Sequence, residues 1–202
     1  VIYNIQEGDR TKIASISIVG NNAFSDGRLK QVISLRETGI LSFIQRDDVY
    51  DPDKLQSDEE TMRRFYYNHG YADFRILSAV AELDPSQNSY FITFTVDEGE
   101  RYTFGDVKID STIEGVDTQT LYGELDTTPG DVYSAKEVEN SLVNVTNALA
   151  NKGFAFAQVT PRGDRDFTNH TIAIDYVIDQ GPRAYVERIE IRGNTKTRDY
   201  VI

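Results

Sequence analysis

The chain has no cysteine, few cations and no long apolar run, and each shortage excludes a class of protein. Without cysteine there can be no disulfide framework, thiolate nucleophile or thiolate zinc site. Lys and Arg number 21 against 33 Asp and Glu, a net charge of −12, and the cations are scattered along the chain. Such a surface repels phosphate backbones and anionic lipid, which argues against a nucleic-acid partner. No apolar run approaches the roughly 18 residues that a membrane-spanning helix needs. The start, Val1-Ile2-Tyr3-Asn4, has neither a basic region nor an initiator Met, and the chain reads as a fragment of a longer protein.

What is present is enough to fold. The hydrophobic set is 39% of the 202 residues and the charged set 27%, with 14 Gly and 5 Pro, which fits neither a disordered segment nor a fibre. Length allows one large domain or two small ones.

An internal repeat decides between them. Gln6-Glu7-Gly8, Asp97-Glu98-Gly99 and Asp179-Gln180-Gly181 each close an alternating run. Counted back from the glycines by three, five and seven, these runs are Ile5, Tyr3 and Val1, then Val96, Phe94 and Ile92, then Ile178, Tyr176 and Ile174. Alternation of β-branched and aromatic residues predicts a half-buried strand. A second strand opens each unit, at Ile16 and Ile18, Val107 and Ile109, and Ile189 and Ile191, and two copies continue into Gly-Asn, at Gly20-Asn21 and Gly193-Asn194. Between the strands, Leu55, Met62 and Tyr66 precede Gly70 at the same distances as Val138, Val145 and Leu149 precede Gly153, one stripe of an amphipathic helix in each unit. Asp51 with Pro52, and Ser134 with Glu137, suit helix starts, while Gly70 and Gly153 suit left-handed helix ends. A shorter helix precedes each, near 26–35 and 118–125, with Ser25 as a cap for the first. Turns are expected at 84–88 and 163–166, leaving an extended stretch between each helix and the closing strand.

The expected architecture is therefore α+β: tandem strand-helix-helix-strand-strand units, each a three-stranded mixed sheet of order 1-3-2 with two helices on one face. Residues 1–9 would be the last strand of a preceding unit, 10–99 and 100–181 two complete units, and 182–202 the start of another. The second strand of each unit would be an edge with free N–H and C=O groups.

The runs Ile18-Val19-Gly20-Asn21-Asn22-Ala23-Phe24, Phe65-Tyr66-Tyr67-Asn68-His69-Gly70-Tyr71-Ala72, Val96-Asp97-Glu98-Gly99 and Ile191-Arg192-Gly193-Asn194-Thr195-Lys196-Thr197-Arg198-Asp199 resemble POTRA (polypeptide-transport-associated) domains of Gram-negative outer-membrane assembly proteins. Their order and spacing carry the resemblance, which spans nearly the whole chain. The long loop with Leu41, Phe43 and Ile44 is similar to that of a third POTRA domain and the final run to the opening of a fifth, which makes the complete units third-like and fourth-like. The second unit departs from the pattern, with Asp110-Ser111 in place of Gly-Asn. The resemblance implies a periplasmic location and a C-terminal membrane β-barrel in the full-length protein. It also implies accessory assembly lipoproteins and unfolded outer-membrane proteins as partners. A related outer-membrane translocation protein, or a spacer that binds no client, would share the repeat.

An exposed edge can accept an added strand, the backbone ladder giving affinity without one required sequence. The first unit's edge, Asp73, Phe74, Arg75, Ile76, Leu77, Ser78, Ala79 and Val80, is the leading candidate for partner binding, with Leu41, Phe43 and Ile44 of the long loop as a second surface. In the second unit Phe156, Gln158 and Val159 form a weaker candidate, because Pro161 interrupts a ladder. No enzyme is expected and no cofactor or metal is implied. His69 and His170 are expected to be solvated and pair with no nucleophile, and Asp47, Asp48, Asp51, Asp53 and Asp58 lack the calcium-loop alternation and read as a solvated helix start. A hydrolase would need two converging carboxylates, which the repeat does not supply.

Overall fold

A computed structural model describes residues 11–39 and 49–181. The expected sheets are both present, with the expected strand orders. In the first, β1 (Lys12–Val19) lies parallel to β3 (Ser89–Asp97), and β2 (Arg75–Asp84) is antiparallel on the other side of β3. In the second, β4 (Thr103–Ser111) is parallel to β6 (Thr171–Gln180), which carries β5 (Ala157–Asp166) antiparallel on its far side. The expectations for residues 1–9 and 182–202, and for Leu41, Phe43, Ile44, Asp47 and Asp48, fall outside the described residues.

Alternation delivers the cores. Ile92, Phe94 and Val96 of β3 are buried with Ile13, Ile16 and Ile18 of β1, and Ile172, Ile174, Tyr176 and Ile178 of β6 are buried in the second unit. Over the first sheet lies α2 (Pro52–Tyr67), burying Leu55, Met62 and Tyr66; over the second lies α3 (Ala135–Asn151), burying Val145 and Leu149. The caps are those the composition suggests: Asp51 accepts from Asp53 N–H at 2.9 Å with Pro52 at the first turn, and Ser134 accepts from Glu137 N–H at 3.3 Å. The shorter helices are α1 (Asp26–Val32), capped by Ser25, and a 3-10 helix (Thr118–Glu124).

Three local expectations are corrected. The second turn is not at 163–166: β5 runs on through Gly163 to Asp166, whose carboxylate then accepts from Thr168 and Asn169 N–H and closes the turn. The histidines are half-buried rather than solvated, His69 lying against Phe24 and Phe65 and His170 against Tyr102. Asp58 is buried inside α2, where it receives Ser34 N–H at 2.6 Å and Leu35 N–H at 2.9 Å and so fixes the chain that leaves α1.

Candidate functional site

Each sheet has two edges, and they differ. The β1 edge is occupied: Glu37 accepts the Ile16 N–H at 2.8 Å and Thr38 N–H donates to the Ile13 carbonyl at 2.8 Å. Lys30 holds that Glu37 carboxylate at 2.8 Å; burial pushes its pKa up, but the hydrogen bonds from Lys30 and Ile16 outweigh it and hold it below the ordinary range. The β4 edge is occupied in the same way by residues 130–133. Phe104 N–H donates to Asp131 and Gly130 N–H to Phe104, both at 2.8 Å, while Tyr122 hydroxyl accepts from Ile109 N–H at 3.2 Å. Among the described residues the only loop backbone hydrogen bond on the outer side of β2 or β5 is at the first residue of β5, where Ala157 N–H donates to the Phe154 carbonyl at 3.0 Å, so these are the two largely bare edges.

The sequence-predicted site residues separate accordingly. Arg75 to Val80 lie in β2, with Leu77 61% exposed and Val80 and Ser78 also exposed, while Ile76 and Ala79 lean on the core. Arg75 pairs with Asp97 across the strands at 2.5 Å, and this bond holds the Asp97 carboxyl below the usual carboxylate range. The strand is not uniform, because the register shifts between Ile76 and Ser78 and leaves Leu77 as an extra, bulged residue. Bulges of this kind protect edges from random pairing.

Phe74 is removed from the site. It precedes β2, is 1% exposed and stacks on the Tyr66 ring at a centroid distance of 3.9 Å, because the turn after Gly70 folds it back under α2. Asp73 likewise serves elsewhere, taking the Tyr102 hydroxyl at 2.7 Å and an ion pair from Arg165, which also reaches the Ala72 carbonyl at 3.4 Å. The bond to Asp73 pushes the Tyr102 hydroxyl pKa upward. In the second unit Val159 is buried, whereas Gln158 is exposed and Phe156 is 71% exposed. Phe156 borders a groove of about 520 Å³ between α3 and the start of β5, lined also by Leu142, Val143 and Thr146.

Asp73, Tyr102 and Arg165 belong to the joint between the units; the short link from Asp97 to Tyr102 predicts a restricted joint, but these side-chain contacts are not legible in the sequence. Tyr102 N–H donates to the Gly70 carbonyl at 2.8 Å, and Asn68 side-chain oxygen caps Lys136 N–H in the first turn of α3 at 2.9 Å. Gly70 has φ +99°, and a Cβ there would sit 2.8 Å from Arg101 Cγ and 3.0 Å from the Tyr102 carbonyl oxygen. Glycine is needed both for the left-handed turn and for the approach of the second unit. Ala72, from the first unit, packs into the second unit's core.

A second unread cluster is the buried carboxylate of Glu98. It accepts Asn22 N–H at 2.9 Å, Ala23 N–H at 3.0 Å and the Tyr66 hydroxyl at 2.8 Å. Burial, then the bond to Glu98, push the Tyr66 hydroxyl pKa upward. The cluster ties together three of the sequence runs that carry the family resemblance.

Two sheets under paired helices, joined by a hydrogen-bonded turn and each left with one bare edge, define a tandem α+β repeat module whose free polar groups lie along strands. The POTRA family model, described as surface antigen variable number repeat, matches residues 11–99 and 102–181, and the chain belongs to that family. Among curated proteins it is 32% identical over 198 residues to the outer membrane protein assembly factor BamA of Neisseria meningitidis serogroup B, covering 98% of this chain and 25% of that protein. It is 28% identical over 205 residues to BamA of Nitratidesulfovibrio vulgaris, covering 100% of this chain and 26% of that one. The chain thus spans about a quarter of the length of the curated relatives it matches. The crystal structure of Haemophilus influenzae BamA POTRA3-5 shares the fold, with a TM-score of 0.71 at 24% identity over 96% of this chain and 75% of that one.

Proposed function

We propose that this chain is the periplasmic part of an outer-membrane β-barrel assembly factor and binds unfolded outer-membrane proteins by strand addition to β2. Its two units would be the third and fourth POTRA domains of a protein that continues into a membrane β-barrel. Accessory assembly lipoproteins would bind the same module, with Leu41, Phe43 and Ile44 of the long loop as a second contact. The role is a scaffold's, without catalysis. The relatives named as assembly factors support the setting. One observation carries the mechanism: β1 and β4 are capped by their own loops while the ten-residue β2 is bare, with Leu77 and Val80 pointing to solvent.

A ladder of backbone bonds suits a protein with many clients, since it reads extended conformation before side chains. The test is a titration of the chain with an extended peptide of about 11 residues, the length of one outer-membrane protein strand, followed by backbone amide shifts. Shifts should concentrate on residues 75–84, vary weakly with salt, and vanish in Leu77→Lys/Val80→Lys, which adds charge to exposed positions only. Shifts that bypass β2, or binding unchanged in the folded double variant, would remove β2 as the site.

A further inference from the structure

The two bare edges meet at the joint. Strand β3 enters it at Asp97 and β4 leaves it at Thr103. Because β2 is antiparallel to β3, it starts at the joint; because β6 is parallel to β4 and β5 antiparallel to β6, β5 ends there. The contacts agree: Arg165, next to last in β5, binds Ala72 and Asp73, which directly precede β2. The edges therefore follow one another with the same chain direction, β5 into the joint and β2 out of it.

The side of β5 that faces outward can be assigned. Gly181 N–H donates to the Phe156 carbonyl at 3.0 Å, so this is a hydrogen-bonded pair, and the register along β5 and β6 continues without a shift. Bonded and non-bonded pairs alternate in an antiparallel ladder, so the backbone groups of the odd-numbered residues 157 to 165 point away from β6. Pro161 falls on that outer side, where its missing N–H costs the fold nothing and leaves one gap in an added ladder. Val159, Gly163 and Arg165 retain outward donors. Apolar side chains follow the same path: Phe156 and Phe167 flank β5, 71% and 67% exposed, and Leu77, Val80 and Leu83 are exposed along β2.

Building on the strand-addition reading of β2, we infer that β5 and β2 form one continuous docking edge for a single extended polypeptide segment of about 20 to 24 residues. Each edge strand is ten residues long, the length of one membrane-spanning β-strand of about 9 to 11 residues. The occupant is a stretch of unfolded β-barrel precursor holding two successive strands and the turn between them, alternating apolar and polar. The net charge of −12 selects segments without excess acid. With both halves engaged, the second contact becomes intramolecular, and affinity rises without any new kind of bond.

The experiment compares a neutral strand-turn-strand peptide of about 23 residues with its two separate halves, titrated into the 202-residue chain. The long peptide should bind at least about 10-fold more tightly than the better half. Gly163→Pro removes an outward donor; a side chain there meets Ile172 Cγ2 at 3.6 Å, ordinary contact, so the fold has room for it. That variant should reduce the long peptide to the affinity of the half that binds β2, with the half itself unaffected, while Gly163→Ala keeps the gain. Should Gly163→Pro fail to fold, Gln158→Lys/Thr160→Lys, tested with a peptide carrying lysines, takes its place and should have the same effect. A long peptide no tighter than its better half, or a gain that survives these β5 variants, overturns the continuous edge while leaving β2 binding intact. Absence of binding by every peptide overturns both.

Discussion

Glu98→Ala should be among the most damaging single substitutions outside the apolar core. The carboxylate is buried and takes three donors, Asn22 N–H, Ala23 N–H and Tyr66 hydroxyl, at 2.8 to 3.0 Å. A hydrogen bond to a charged group contributes about 1.5 to 3 kcal/mol, and a donor left buried without a partner costs about 1 to 3 kcal/mol. The two backbone donors lie near the surface and recover water once the acceptor is gone, so the simple sum is too large. The expected loss is about 3 to 4 kcal/mol, against a domain stability of about 5 to 15 kcal/mol. Tyr66→Phe removes one donor and should cost about 1 kcal/mol. Glu98→Gln keeps one acceptor oxygen but turns an amide toward the remaining donors, for about 1 to 2 kcal/mol. Because Tyr66 and Glu98 touch, their double variant should depart from additivity by at least about 0.5 kcal/mol. Residue-resolved amide exchange is the suitable assay, since it reads each unit by itself. Protection across β3 should fall by about 100- to 1000-fold in Glu98→Ala, with β6 unaffected. Gln180→Ala is the control: Gln180 holds the equivalent position in the second unit and is exposed, so exchange there should hardly change. A Glu98→Ala loss below about 1 kcal/mol, or strict additivity with Tyr66→Phe, would refute the cluster as a coupled unit.

At the joint, Gly70→Ala should cost about 2 to 3 kcal/mol from its φ of +99° and its contacts with Arg101 and Tyr102. Residual dipolar couplings that fit one relative orientation in the parent should no longer do so in the variant; unchanged couplings would refute the joint. Phe74→Ala should cost about 3 to 5 kcal/mol and Leu77→Ala less than about 0.5 kcal/mol in urea unfolding, opposite to an assignment of Phe74 to the binding edge. The pH dependence follows from Asp97, Asp166 and Glu37, all held below their ordinary values of 3.8, 3.8 and 4.5. Carboxylates depressed in the folded state contribute stability that is present above the unfolded pKa and lost as pH falls through the folded one. The urea midpoint should therefore be flat from about pH 7 to 5 and decline below about pH 4.5, and a midpoint that rises on acidification would contradict this.

The sheets and long helices were legible because their signals are periodic and survive without tertiary context: alternation at Ile92, Phe94 and Val96, and the helical stripe at Leu55, Met62 and Tyr66. Edge assignment was legible too, since two helices between parallel strands leave the second strand outside. What escaped depends on which side of a local signal wins. Phe74 looks like the first apolar residue of a strand, yet the turn after Gly70 turns it inward onto Tyr66. Gly163-Asp164-Arg165-Asp166 looks like a turn by composition, yet Gly163 lacks a left-handed φ and Asp166 alone starts the turn. Contacts between units are invisible to a reading made unit by unit, so Arg165 reads as part of a turn although it reaches 92 residues back to Asp73.

The departure of the second unit from the repeat has a physical account in the Glu98 cluster. In the first unit Gly20 sits at φ +95° against the Val96 carbonyl oxygen, a site closed to any side chain, and the turn that follows presents Asn22 and Ala23 N–H to Glu98. In the second unit three sites change together: the strand registers, Ile18 beside Phe94 and Ile109 beside Tyr176, align Ser111-Thr112 with Gly20-Asn21, one residue later than the sequence pattern suggests, while Gln180 replaces Glu98 and Leu149 replaces Tyr66. There Leu149 is buried in an apolar setting, Gln180 is exposed, and the chain after β4 is held by Thr112 N–H donating to the Ile178 carbonyl at 2.9 Å. A buried carboxylate without its donors would be costly, and a tight turn without its acceptor would strand two N–H groups, so neither element is stable alone. The three residues form one unit of substitution, and the Gly-Asn run signals the polar cluster rather than the fold, which the second unit builds without it.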